Sequence, residues 1–165
     1  MTEVGVKVAL TVFGILALSV VSPGTSFGQA TGFAGLAGSW SGSGTITLSS
    51  GATERLRCDA TYEVAPSGNS FQQNLRCKSD SYDFNLRTSV LRSGNNVSGT
   101  WTETRRNVQG NIAGRVNGGE IAATVKGPAF SAALTMQTQA SAQTVRIRSD
   151  GTELSQVSIS LRRGG

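Results

Sequence analysis

Three groups of residues in this 165-residue chain have types and spacings that suggest chemistry. They are the carboxylates Asp80 and Asp83, the run Trp101-Thr102-Glu103-Thr104-Arg105-Arg106, and the cysteines Cys58 and Cys77. Two nearby carboxylates form an acid and base pair in many enzymes, but Asp80 and Asp83 flank a turn between extended segments, where Asp ordinarily bonds to its own backbone. Glu103 shares a strand face with Trp101, and Arg105 or Arg106 stands ready to neutralise it. It reads either as a salt bridge at the end of a strand or as a polar contact for a ligand. The chain has no histidine, so the usual general base, proton shuttle and zinc ligand are missing. We assign no catalytic residue, metal site or cofactor, and expect a protein that is not an enzyme.

The cysteines have a more definite reading. The segments ATERLRCDATYEV (52–64) and FQQNLRCKSD (71–80) are joined by APSGNS. Folding them as a hairpin that pairs Val64 with Phe71 sets Cys58 opposite Cys77, Ala60 opposite Leu75 and Tyr62 opposite Gln73. A disulfide between Cys58 and Cys77 follows if the chain is exported to an oxidising compartment. A redox-active pair is disfavoured, because there is no Cys-x-x-Cys and no imidazole to lower a thiol pKa.

Export is what the amino-terminus suggests. Val8 to Val21 is an apolar run preceded by Lys7, and Gly28 and Ala30 supply small residues at the positions a signal peptidase inspects. Residues 1–30 are therefore expected to be a cleaved signal peptide, 31–38 a flexible segment, and 39–163 the folded domain, in the periplasm or secreted. Cleavage removes Lys7 and Glu3, so the net charge of +5 is unchanged. The basic residues occur in no run longer than the pairs Arg105-Arg106 and Arg162-Arg163, which argues against nucleic acid as a partner.

From Trp40 onward the apolar residues alternate with polar ones, a period of two that specifies strands with one buried face. Ten strands are expected. Trp40, Gly42, Gly44, Ile46 and Leu48 share a face in the first, and Tyr82, Phe84, Leu86, Thr88 and Val90 in the fourth. Val97, Gly99, Trp101 and Glu103 align in the fifth, and Phe130, Ala132, Leu134 and Met136 in the eighth. Turns such as RSGNN and NGG connect them. The expected fold is all-β, a single up-and-down antiparallel barrel with one disulfide, because closure removes the two edges that an open sheet would expose. The inner-face glycines Gly42, Gly44, Gly99, Gly110 and Gly114 are expected to permit tight coiling and to leave room inside. The opposite face, with Arg55, Arg57, Asp59, Arg76 and Lys78, belongs in water, so no membrane association is expected after signal cleavage.

Gly38-Ser39-Trp40 at the opening of the first strand resembles the G-x-W signature of the calycin barrels, which include lipocalins, fatty-acid-binding proteins, avidins and nitrobindin-like proteins. Gly99-Thr100-Trp101 repeats it. The resemblance implies a cupped barrel whose Trp packs across one end beside a basic residue from a late strand, here Arg146, Arg148 or Arg162. Without histidine, the haem site of the nitrobindin-like members has no ligand.

Two functions fit. In the first, the barrel binds a small apolar or amphipathic molecule in a cavity lined by Trp40, Tyr62, Phe71, Phe84, Trp101, Phe130 and Met136, with polar groups from Tyr62, Gln73, Tyr82, Thr88 and Glu103. In the second, the chain is a protein-interaction module or a structural envelope protein with a filled barrel. In outline it is similar to the periplasmic protease inhibitors of Gram-negative bacteria, and the similarity implies a partner engaged through residues 31–38 or the loops.

Overall fold

The structure, a computed structural model, describes residues 32–164; the expected signal peptide lies outside them. A short 3-10 turn, Ala34–Leu36, precedes ten strands. These are β1 (Gly38–Leu48), β2 (Thr53–Val64), β3 (Ser70–Lys78), β4 (Asp83–Ser93), β5 (Asn96–Glu103), β6 (Val108–Asn117), β7 (Glu120–Lys126), β8 (Ser131–Gln139), β9 (Ala142–Ser149) and β10 (Leu154–Arg163). Each strand pairs antiparallel with the next, and β1 pairs with β10 to close the barrel.

The alternation seen in the sequence becomes the two walls of the barrel. On β2, Leu56, Cys58, Ala60 and Tyr62 are buried, while Arg55, Arg57, Asp59, Thr61 and Glu63 between them are exposed. Register carries this face around the sheet: Cys58 faces Cys77, Cys77 faces Phe84, and Leu86 faces Glu103. The β2–β3 hairpin has the expected register throughout, from Val64 opposite Phe71 to the Cys58–Cys77 disulfide. The outer wall is mostly polar or charged, with Leu91, Ala113, Ala122 and Ala133 among its apolar members.

Three expectations need correction. Phe130 does not belong to β8, which starts at Ser131; it closes the preceding turn, where the Gly127 amide donates to its carbonyl. The inner-face glycines do not leave room. A Cβ on Gly42 would strike the Ser160 carbonyl oxygen, and one on Gly110 would strike that of Lys126 and stand 2.7 Å from Trp101 Nε1. The neighbouring strand occupies the space, so these glycines permit close backbone approach. Finally, residues 32–37 are docked against the barrel. The Phe33 amide donates to the Gly68 carbonyl (2.8 Å), and Phe33 and Leu36 are buried. The two apolar side chains lose more water contact by covering the barrel end than the short segment loses in freedom.

Candidate functional site

The two ends of the barrel differ. At the end where β1 begins, inward side chains form a seal. Trp40 is 1 % exposed, Tyr62 3 % and Phe71 5 %, with Phe33 and Leu36 laid across them. The rings meet edge to face, with centroids 4.8 Å apart for Phe33 and Phe71 and 5.6 Å for Tyr62 and Phe71. Trp40 Nε1 donates to the Leu36 carbonyl (2.8 Å), which ties the docked segment to the first strand. The basic residue over the Trp40 ring is Arg163, whose guanidinium carbon lies 4.8 Å from the centroid and which also donates to the Gly35 carbonyl. It is none of Arg146, Arg148 or Arg162: these are all exposed on the outer face, and only Arg163 stands in register with Trp40.

Beneath this seal runs a buried polar chain. The Tyr62 hydroxyl donates to Gln143 Oε1 (2.8 Å) and accepts from Gln73 Nε2 (2.7 Å), and Gln143 Nε2 donates to Thr138 Oγ1 (3.1 Å). The chain satisfies groups that would otherwise be expensive to bury. Burial pushes the Tyr62 pKa well above its ordinary value, against the opposing effect of the two glutamines. Gln143 is 1 % exposed and was not among the polar groups singled out from the sequence. Its signal was present: it lies two residues before Val145 and therefore on the same face.

At the opposite end the inner wall is apolar but incompletely covered. Leu75, Phe84, Leu86, Leu134, Ile147 and Val157 all lie on the inward face by register, yet each is only half-buried. Tyr82 stacks on Phe84 (5.8 Å) at the rim, and its hydroxyl donates to Glu153 (2.9 Å). On the other side of the mouth Trp101 donates from Nε1 to the Lys126 carbonyl (3.1 Å), with Phe130 5.7 Å from its ring. On the same face Ile46, Leu56, Cys77 and Trp101 are buried, so this end is apolar and part-covered.

The expected site residues are thus divided between the ends. Trp40, Tyr62, Phe71 and Met136 belong to the sealed end, with Met136 Sδ 3.7 Å from the Tyr62 hydroxyl. Phe84, Trp101, Glu103 and Phe130 are at the mouth. Glu103 is occupied locally: its carboxylate accepts from the amides of Asn85 (2.9 Å) and Arg106 (2.7 Å), and Arg106 Nη1 lies 3.7 Å away. Desolvation pushes its pKa up, but these amides, that of Arg105 and the Arg106 charge outweigh it, and the net shift is downward. Asp83 is likewise engaged, by Arg105. Two surface hollows, of about 410 and 290 Å³, lie around Gly119 and Thr138 and around Val64 and Phe71, at the sealed end.

No protein-family model matches the chain, and no curated protein matches it in sequence. Solved structures do match it in shape. Rv2717c from M. tuberculosis superposes with a TM-score of 0.61 at 11 % identity, covering 80 % of this chain and 94 % of that one. The S-type phycobiliprotein lyase CPES from Guillardia theta superposes with a TM-score of 0.57 at 9 % identity, covering 81 % of this chain and 90 % of that one. At such identities the likeness concerns the fold alone, a closed antiparallel β-barrel.

Proposed function

We propose that this protein is an exported, non-enzymatic barrel that holds a small apolar or amphipathic molecule. The molecule enters at the mouth between Phe84 and Trp101 and covers the part-exposed side chains Leu86, Leu134, Ile147 and Val157. The observation that carries this reading is that the inward apolar side chains Phe84, Leu86, Leu134, Ile147 and Val157 remain part-exposed, although Ile46, Leu56, Cys77 and Trp101 beside them are buried. Such a wall retains apolar surface for a guest to cover, and its few polar groups orient the guest. The inhibitor-like alternative needs a free amino-terminal arm, whereas Phe33 and Leu36 already commit their side chains to the seal. Export rests on the apolar run at Val8 to Val21 and accords with the disulfide.

The test is native mass spectrometry of the protein recovered from the export compartment, together with titration of the delipidated protein with the fluorescent probe anilinonaphthalene sulfonate. A co-purifying molecule is expected, along with probe binding that falls at least tenfold in Leu134→Arg, which places a charge in the mouth. A wild-type protein that carries nothing and binds no probe would overturn the reading, as would equal probe binding in the variant. Amino-terminal sequencing should find the mature chain starting at Thr31.

A further inference from the structure

The cations that look scattered along the sequence are gathered by the fold. On the outer wall of the five neighbouring strands β9, β10, β1, β2 and β3 stand Arg146 and Arg148, Arg162, Arg55 and Arg57, and Arg76 and Lys78. All seven are exposed. Only Asp59 and Glu63 oppose them on those outer faces, so this wall alone carries +5, the net charge of the whole chain. Among the described residues none of the seven forms an ion pair; the ion pairs present involve Arg105 and Arg106, at the mouth.

Between the arginines lies a strip of small hydroxyl side chains. In one row across the sheet the order is Arg55, Thr45, Ser158, Arg146; in the next it is Arg57, Ser43, Ser160, Thr144. At the usual strand spacing the two arginines of the first row are about 14 Å apart along the wall, with neighbours on one strand roughly 7 Å apart. The surface is a hydroxyl-floored track with guanidinium walls, and no aromatic side chain is on it.

We propose that this wall is a docking surface for an acidic polysaccharide. Guanidinium groups bind sulfate, phosphate or carboxylate in a bidentate manner, and their separation suits a chain with repeated charges better than a single small anion. Serine and threonine hydroxyls both donate to and accept from sugar hydroxyls. Single-stranded nucleic acid ordinarily demands aromatic platforms, which are lacking here. A membrane-inserting face needs an apolar side, yet the only exposed large apolar residue among those described, Leu91, lies on β4, outside the five strands.

The experiment compares two triple variants that lose the same charge. Arg57→Ser, Arg146→Ser and Arg162→Ser remove three of the seven cations of the track; Arg87→Ser, Arg115→Ser and Lys126→Ser, on the outer faces of β4, β6 and β7, leave all seven in place. Affinity for heparin, a sulfated polysaccharide, is measured against salt and compared with neutral dextran, single-stranded DNA and phosphatidylglycerol vesicles. Wild-type protein should bind heparin and not dextran, the first triple should lose at least tenfold, and the second should stay within about twofold. Equal losses in both triples, no heparin binding, or tighter binding to DNA or vesicles would each overturn the proposal. Circular dichroism melts confirm that both triples fold.

Discussion

Arg163, at the end of the last strand, lays its guanidinium over the ring of Trp40, near the start of the first, 4.8 Å from the centroid. The pair joins the first and last strands at the seam where the barrel closes. The ring carries most of the energy, because it is 1 % exposed and its indole N–H is already satisfied by Leu36. Trp40→Ala should destabilise the fold by about 3 to 5 kcal/mol. Arg163→Met should cost only about 1 kcal/mol, because the cation–π contact is modest and Arg163 Nε is buried without a partner. Urea denaturation of both variants checks the ranking; a larger loss from the arginine would place the energy in the charge.

Cys58 and Cys77 close a loop with a sequence separation of 19 inside one hairpin. Replacing both by alanine should lower stability by about 3 kcal/mol through the added freedom of the unfolded chain, with probe binding at the mouth unchanged. Denaturation midpoints of the double variant and of reduced wild type should agree. Loss of binding in a folded double variant would give the sulfurs a role beyond support.

These two relationships show what the sequence exposes and what it hides. The β2–β3 register is readable because a short turn fixes it and the alternation of Leu56, Cys58, Ala60 and Tyr62 admits only one face. The β1–β10 register is set by closure of the whole barrel, so no local signal chooses Arg163 over Arg162 as the partner of Trp40. Docking of Phe33 and Leu36 is hidden for a related reason: a Gly- and Ala-rich segment has no periodicity, and its partners come from distant strands. The basic wall is invisible along the chain because its members alternate with core residues on strands far apart in sequence.

Tyr62 should make stability fall in alkali. Its folded pKa is raised above the ordinary value of 10.0, so the stability it contributes is fully present below about pH 10 and is lost as pH rises toward the folded value. Tyr62→Phe removes this dependence. It also leaves Gln143 and Gln73 short of a partner, at a cost of about 1 to 3 kcal/mol at neutral pH. Chemical denaturation from pH 7 to 11 should show a steeper decline in wild type than in the variant, and parallel curves would mean that the hydroxyl is not sealed from solvent.

Glu103 should act in the opposite direction. Its folded pKa is lowered, so its contribution is present above the unfolded value near 4.5 and is lost as pH falls through the folded one. Because the carboxylate holds the Asn85 and Arg106 amides, it ties the β5–β6 turn to the start of β4 at the rim of the mouth. Glu103→Gln retains shape and one acceptor but discards the charge, which should cost about 1 to 3 kcal/mol at pH 7 and flatten the acid limb of the stability profile. Amide hydrogen exchange should speed up at Asn85 and Arg106 and remain unchanged at the sealed end, around Trp40. If the variant instead matched wild type in both stability and exchange while losing probe binding, Glu103 would be a contact for the guest and not a brace for the rim.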